Sequence, residues 1–303
     1  MTGFTAADVT GQAGKCFLVT GANTGLGYEA TKVLAAQGAR VLLACRSEDK
    51  ARLAMEHIRM EVPGANLAFV PLDQADLASV RECAAMVSRD EPRLDVLVNN
   101  AGVMMPPLQR TVQGHELQFG VNHLGTFALT GLLLAKLSAV DDGRVVITAS
   151  LAHRRGKIDW DDLDAHRSYN RSQRYGDSKL MNLLHMYELD HRLRAAGSPV
   201  TAVACHPGVA STELGRHSLA FRALFPIVGV MLNSAAQGAW PTLQAATDAV
   251  EPGQYYGPQR MGEVSGPSGV AKRKPSATDP EAARRLWDVS AQTTGVDYGL
   301  APA

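Results

Sequence analysis

The sequence predicts an α/β fold, a doubly wound parallel sheet with helices on both faces. Three observations predict it. Short apolar runs alternate strictly with longer stretches of helical periodicity over the first 210 residues. The runs are apolar at consecutive positions, as in strands buried on both faces. A glycine-rich turn joins the first run to the first helical stretch.

Cys16–Val19 (CFLV) is the first strand and ends at Thr20–Gly21. Gly25 to Gln37 reads as a helix, with Ala30, Val33 and Leu34 on one face and Gly38 as its stop. Arg40–Cys45 (RVLLAC) is the second strand. Ser47 can cap the helix that follows, to about Met60. Asn66–Leu72 is the third strand. Asp76 to Arg89 is helical, with Leu77, Val80, Ala84 and Val87 on one stripe. Leu94–Val98 is the fourth strand. His115 to Val140 is a helix that is apolar almost all round, so it should be buried. Arg144–Ala149 is the fifth strand, Tyr175 to Ala196 a long helix, and Val200–Cys205 the sixth strand. Gly262 to Pro280, rich in Gly, Pro, Ser and basic residues, reads as the mobile stretch. No repeat, low-complexity tract or linker divides the first 210 residues, so 1–303 is read as one domain.

Of the 303 residues 46% are hydrophobic and 20% charged, which suits a folded chain with a substantial core. Lys plus Arg number 30 and Asp plus Glu 30. A net charge of zero argues against nucleic acid, or an anionic membrane, as a partner held by overall field. The cysteines, Cys16, Cys45, Cys83 and Cys205, are 29, 38 and 122 residues apart and form no CxxC pair. Zinc and dithiol redox sites are therefore not expected. Met1 to Lys15 lacks a secretory pattern, and the lipophilic run Ala223 to Leu232 is too short to span a bilayer. The expectation is a cytoplasmic protein without a transmembrane segment, its oligomeric state open.

Thr20-Gly21-Ala22-Asn23-Thr24-Gly25-Leu26-Gly27 lies between the first strand and the first helix. Glycines let backbone N–H groups approach a pyrophosphate, and the helix N-terminus adds partial positive charge. Glycine clusters also mark ordinary turns, but here the strand–turn–helix context is the one dinucleotide binding needs. An acid about 20 residues further on would bind the adenine ribose hydroxyls. Cys45 stands there instead, followed by Arg46, Ser47 and Lys50. A guanidinium can hold a 2′-phosphate, so NADP(H) is favoured over NAD(H). Against this, Arg46 could be a solvated loop cation, and Glu48 or Asp49 could approach the ribose.

Tyr175 and Lys179 are one helical turn apart. A phenol is a poor acid–base group at neutral pH, and a neighbouring ammonium makes it a better one. Alone, Tyr-x-x-x-Lys recurs by chance on solvated helices. Three features add to it. Ser150 ends the fifth strand and Asn99-Asn100-Ala101-Gly102 ends the fourth, at the sheet edge where ligands of such folds sit. Asn122 lies inside the apolar helix and needs partners, backbone or a water that relays protons towards Lys179. The plainer readings are a turn-forming hydroxyl for Ser150 and a core amide for Asn122. A hydrolase triad of Ser150, His153 and Asp159, Asp161 or Asp162 would want glycines around the serine, and none are there. His185 and His191 have no carboxylates at metal-ligand spacing, so no metal is expected.

Together these residues resemble the classical short-chain dehydrogenase/reductase family, over roughly Lys15 to Leu300. Thr20-Gly21 to Gly27 matches its glycine motif, Asp73 its adenine-contacting acid, and Asn99 to Gly102 its NNAG motif. Asn122, Ser150, Tyr175 and Lys179 match its catalytic tetrad. His206-Pro207-Gly208-Val209 and Thr212 match the segment that holds the nicotinamide carboxamide. Gln74 departs from the usual Leu after the adenine acid. Ala44-Cys45-Arg46, Ser150 to His153, Gln254 to Pro258 and Leu286 to Ser290 resemble the branch of retinol dehydrogenases, WW-domain-containing oxidoreductases and protochlorophyllide reductases. The resemblance implies a Rossmann-type domain with cofactor contacts at Gly21, Asn23, Thr24, Gly25, Leu26, Gly27, Arg46, Ser47, Asp73, Gln74, Asn99, Ala101, Gly102, Tyr175, Lys179, Pro207, Gly208, Val209 and Thr212. It implies an NADP(H)-dependent oxidoreductase for a lipophilic alcohol or carbonyl, retinoid-, steroid- or long-chain-like. Tyr175 would be the acid–base, Lys179 its activator and ribose ligand, Ser150 the support of the substrate oxygen. The alternatives are a dinucleotide-binding sensor or scaffold without turnover, or a double-bond reductase of the protochlorophyllide type.

Residues 212–233 contain LAFRALFPIVGVML, with Phe221, Leu224, Phe225, Ile227, Val228, Met231 and Leu232. So many apolar side chains after the sixth strand suggest a substrate lid broken at Pro226. A core helix pair or a subunit contact is the competing reading.

Overall fold

The computed structural model describes residues 3–209 and 233–302. The elements follow in order: β1 (Cys16–Thr20), α1 (Gly25–Ala36), β2 (Arg40–Cys45), α2 (Glu48–Glu61), β3 (Asn66–Pro71), α3 (Leu77–Asp90), β4 (Val96–Asn99), α4 (Leu117–Leu137), β5 (Arg144–Thr148), α5 (Arg171–Ala195) and β6 (Thr201–Cys205). After them come α6 (Ala235–Gly238), α7 (Trp240–Thr247), β7 (Tyr255–Arg260), β8 (Ser265–Val270) and α8 (Pro280–Thr294).

The strands form one sheet in the order β3-β2-β1-β4-β5-β6-β7-β8. β1 pairs in parallel with both β2 and β4, so the winding reverses beside it. That reversal opens a crevice at the carboxyl ends of the strands, where ligands bind in this architecture. Every pairing from β3 to β7 is parallel, and only β8 runs antiparallel, against β7.

Alternate strand residues feed two apolar layers. Leu18, Leu42, Leu97, Val145 and Ala202 face α3, α4, α5 and α8, while Val19, Leu43, Val98, Val146 and Val203 face α1, α2 and α7. Each fully buried side chain of this kind stabilises by roughly 1.5–3 kcal/mol before the entropy of ordering is subtracted. α4 is apolar and long enough to cross a membrane, but 83% of its most apolar window lies inside the fold. It is the core helix that its all-round apolarity predicts.

Three departures from the sequence reading bear on the site. α4 starts two residues after His115, because the Glu116 carboxylate caps the N–H groups of Gln118 and Phe119. α5 starts at Arg171, a turn before Tyr175, because the Asn170 side chain accepts from Ser172 and Gln173. The stretch expected to be mobile, Gly262 to Pro280, instead holds β8 and a 3-10 turn at Pro275–Thr278. Its small residues have no alternating pattern to announce a strand. What orders them is pairing with β7 on one side and the Phe4–Ser268 bridge on the other.

Candidate active site

The phosphate end is made by missing side chains. A Cβ on Gly27 would sit 2.5 Å from Gly21 O and 2.6 Å from Asn100 Nδ2. Gly21 has φ +66 and faces Ala101. The Thr20 hydroxyl fixes the opposite wall, accepting from the N–H groups of Asn100 (3.0 Å) and Ala101 (2.8 Å), while Asn100 Nδ2 donates to Thr20 O at 2.8 Å. At the mouth of α1, Thr24 makes no side-chain cap and the first turn holds no acid. Its N–H groups are left to an anion, which is what a dinucleotide pyrophosphate supplies. The cradle therefore fits the expected cofactor, with Asn23, Gly25 and Leu26 in the same turn.

The second strand ends on Cys45, and Arg46 after it is exposed, with no hydrogen bond or ion pair among the described residues. Ser47 caps α2 by accepting from Lys50 N at 3.3 Å. Of the two competing acids, Glu48 is paired with Arg52. Asp73 accepts from Ala75 N at 2.9 Å. The Gln74 NH₂ donates to Val121 O and Thr126 Oγ1, so this side chain ties the loop after β3 to α4.

The reaction end is made by side chains held on buried partners. Residues Gly120–Leu124 of α4 form a π-helical turn, a widening often found at functional sites. The turn carries Asn122, which is fully buried. Asn122 Oδ1 accepts from Val103 N at 2.7 Å, and Nδ2 donates to Val103 O at 2.9 Å and Ser178 Oγ at 3.0 Å. Of the two expected kinds of partner, backbone or water, the side chain takes backbone at Val103, together with the Ser178 hydroxyl. Both its donor hydrogens are taken by protein, and its work is to fasten the loop after β4 to α4.

Lys179 is nearly buried and donates to Thr148 O at 3.0 Å, and its Nζ lies 5.8 Å from the Tyr175 ring centre. A Cβ on Gly102 would meet Asn122 Oδ1 at 3.0 Å and Lys179 Nζ at 3.5 Å. The NNAG loop, the π-turn and the Tyr–Lys helix therefore converge on one point. Asn99, nearby, donates to Thr130 Oγ1 at 3.0 Å. Ser150 caps the 3-10 turn Leu151–Arg155, accepting from Ala152 N at 3.2 Å. That turn packs on α5 beside Tyr175, where a Cβ on Gly156 would meet Gly176 O at 2.6 Å.

Pro207 and Gly208 follow β6, both buried, with Val209 half-buried. Gly208 has φ +75, and a Cβ there would meet Val264 O at 2.3 Å. Thr212 and the expected lid, apart from Asn233, lie outside the described residues.

The competing readings gain nothing from the geometry. His153 Nδ1 bonds Ser150 O, not the hydroxyl, and Lys274 N donates to its Nε2. Asp162 is paired with Arg174, and Asp159 with Arg167. All four cysteines are buried, and burial raises the thiols of Cys16 and Cys83 to about 12 and that of Cys45 to about 11, so they are inert core residues. No cluster of metal-ligating side chains occurs among the described residues.

Sequence reasoning missed Thr20, Asn100 and Ser178 as site residues. Thr20 and Asn100 stand inside motifs already singled out, whereas Ser178 is 56 positions from the Asn122 it bonds and has no local signal. Glu263 was also missed. It contacts Arg154 and His206, residues 109 and 57 positions away, and no local pattern signals that.

A glycine cradle at the winding reversal, opposite a Tyr–Lys pair and a buried asparagine, defines a nicotinamide-dependent oxidoreductase of the short-chain type. The short chain dehydrogenase family matches residues 15–222, and the chain belongs to that family. It is 43% identical to human (Homo sapiens) retinol dehydrogenase 13 over 292 residues, covering 94% of this chain and 86% of that one. It is 40% identical to human retinol dehydrogenase 12 over 288 residues, covering 94% and 88%. Among solved structures, an uncharacterized protein from Mycobacterium paratuberculosis superposes with a TM-score of 0.83 at 37% identity, covering 99% of this chain and all of that one. The chain is thus an oxidoreductase of the retinol dehydrogenase branch.

Proposed function

We propose that this protein is an NADP(H)-dependent oxidoreductase that interconverts a lipophilic alcohol and its carbonyl, of retinoid, steroid or long-chain type, with Tyr175 as acid–base. The observation that carries the reading is the convergence of Gly102, Asn122 and Lys179 beside Tyr175 at the carboxyl edge of the sheet. A bound reduced nicotinamide supplies the hydride, and its oxidised form takes one back.

The chain's own residues do the rest. Tyr175 donates its phenolic proton to the carbonyl oxygen as that carbon receives hydride, and removes the hydroxyl proton in the reverse direction. Lys179, held on Thr148 O, places a cation near the phenol and favours its ionised form. Ser150 hydrogen-bonds the substrate oxygen. Asn122 keeps the loop at Val103 against the helix that carries Lys179, through Ser178. Arg46, exposed and unpartnered at the end of β2, pairs with the adenosine 2′-phosphate, and Ser47 adds its hydroxyl. The lipophilic substrate class rests on the likeness to human retinol dehydrogenases 12 and 13.

A panel of aldehydes, ketones and alcohols, assayed with NADPH, NADH and their oxidised forms, tests the reading. Turnover of long-chain or retinoid carbonyls with NADPH, well above that of small polar ones, is expected. Binding of the dinucleotide with no turnover across the panel would favour a sensor instead.

A further inference from the structure

The turn between β7 and β8 reaches both walls of the reaction edge. It contains two non-glycine residues in the left-handed region, Met261 (φ 51) and Glu263 (φ 72). Such conformations persist where surrounding contacts impose them, and they cluster where geometry matters. Glu263 has those contacts. Its Oε1 accepts from Lys272 N at 2.8 Å. Its Oε2 lies 2.5 Å from an Arg154 guanidinium nitrogen and 3.7 Å from His206 Nε2.

These two partners belong to different walls. Arg154 is in the turn that Ser150 caps. His206 opens the Pro207–Val209 loop and is fully buried. The His206 tautomer follows from its bonds: Nδ1 accepts from Gly208 N at 3.1 Å, which leaves the ring proton on Nε2, facing the carboxylate. The backbone adds to the attachment. Val209 N donates to Val264 O at 3.0 Å, and Gly266 N donates to the side chain of Asn233 at 2.9 Å. Tyr255 fills the space between the walls, with ring centres 5.1 Å from His206 and 5.7 Å from His153.

We propose that Glu263 is a positioning residue for hydride transfer. By pairing with Arg154 and placing its charge 3.7 Å from the buried His206 ring, it sets the spacing between the Ser150 turn and the Pro207–Val209 loop. It thereby sets the nicotinamide against the substrate oxygen. This rests on the reading above that Pro207–Val209 receives the nicotinamide end. The alternative is a plain surface ion pair, since Arg154 is 45% exposed. An exposed pair contributes little to stability. A misplacement of about 1 Å at a reacting pair costs on the order of 100-fold in rate. The two readings therefore predict different observables.

The experiment compares wild type, Glu263→Ala and Arg154→Gln. Calorimetry measures binding of NADPH and of 2′-phospho-ADP-ribose, which has the adenine and phosphates but no nicotinamide. Thermal unfolding, kcat and KM are recorded alongside. For Glu263→Ala the expected result is unchanged Tm and fragment affinity, weaker NADPH binding, and a kcat lower by about tenfold or more. The carbonyl KM should change little. Arg154→Gln, which keeps the His206 arm, should lose less kcat, and it stands in if Glu263→Ala does not fold. A kcat within about twofold of wild type in both variants overturns the proposal. So does an equal loss of NADPH and fragment affinity together with Tm, which marks a merely structural role. Those outcomes leave the functional reading intact. Failure of the wild type to bind either ligand overturns that reading and the proposal with it.

Discussion

The two ends of the cofactor crevice are built in opposite ways. At the phosphate end, β1 and α1 make room: Gly21 and Gly27 keep the backbone clear of Cβ atoms, and α1 leaves its first N–H groups uncapped. At the reaction end, α4, α5 and the loops after β5 and β6 fill the space with polar side chains, nearly all tied to a buried partner. Asn122 has three such bonds, Lys179 is fastened to Thr148 O, and Ser150 caps a turn. A pyrophosphate is recognised well by backbone N–H groups alone, whereas proton transfer needs a specific side chain in one orientation. The difference suggests that damage to the first end appears as lost binding, and damage to the second as lost turnover.

The largest expected effect tests the second half of that statement. Tyr175→Phe removes the phenolic proton and keeps the ring. It should lower kcat by about 10²–10⁴-fold while NADPH affinity and Tm stay put. Retention of more than a tenth of the wild-type kcat would remove Tyr175 from the acid–base role.

Gly27→Val attacks the first half. Its side chain has nowhere to go between Gly21 O and Asn100 Nδ2. Calorimetry should show NADPH and NADH weakened alike, as the displaced N–H groups no longer meet the pyrophosphate, with a stability loss of typically about 1–3 kcal/mol from overpacking. Normal binding of both by a folded variant would mean that the cradle is not where the pyrophosphate lies.

Arg46→Ala is a finer cut at the same end. Loss of a charge-assisted pair of roughly 1.5–3 kcal/mol should weaken NADPH by about ten- to a hundredfold and leave NADH nearly unchanged. Equal losses would make Arg46 a solvated loop cation.

The smallest effect concerns the scaffold behind the π-turn. His123 is next to Asn122, fully buried, bonded through Nε2 to Ser290 Oγ at 2.6 Å, and pushed down by burial to about 3. In the unfolded chain it titrates near 6.5. The unfolded state therefore takes up a proton first, and stability falls as pH drops below about 6.5 towards 3, by up to about 1.4 kcal/mol per pH unit for this group. Denaturant titrations of His123→Gln between pH 6.5 and 4 should show a shallower acid loss than wild type. Identical slopes would mean that His123 is reached by protons without unfolding.

Most of the frame was legible. Continuous apolar runs such as RVLLAC and RVVITA announced buried parallel strands, and β2 follows its predicted limits residue for residue. The cradle was legible because its mechanism is local: strand, glycines and helix are consecutive. Tyr175 and Lys179 were legible for the same reason, sharing one helical face. What escaped depends on distance along the chain. The π-turn is a backbone event inside an apolar helix whose composition does not change across it. β8 has neither bulk nor alternation, and becomes a strand only because β7 and Phe4 pair with it. The Glu263 contacts join three segments that nothing in the local sequence connects.

The central claim, direct hydride transfer from NADPH to a lipophilic carbonyl with Tyr175 supplying the proton, has one most direct test. The wild-type protein is given NADPH deuterated at nicotinamide C4, on each face in turn, with a retinoid or long-chain aldehyde. The alcohol formed is analysed by mass spectrometry. The account predicts one deuterium on the carbinol carbon from one labelled face and none from the other, with the hydroxyl proton coming from solvent. Alcohol free of deuterium from both labelled cofactors would contradict it.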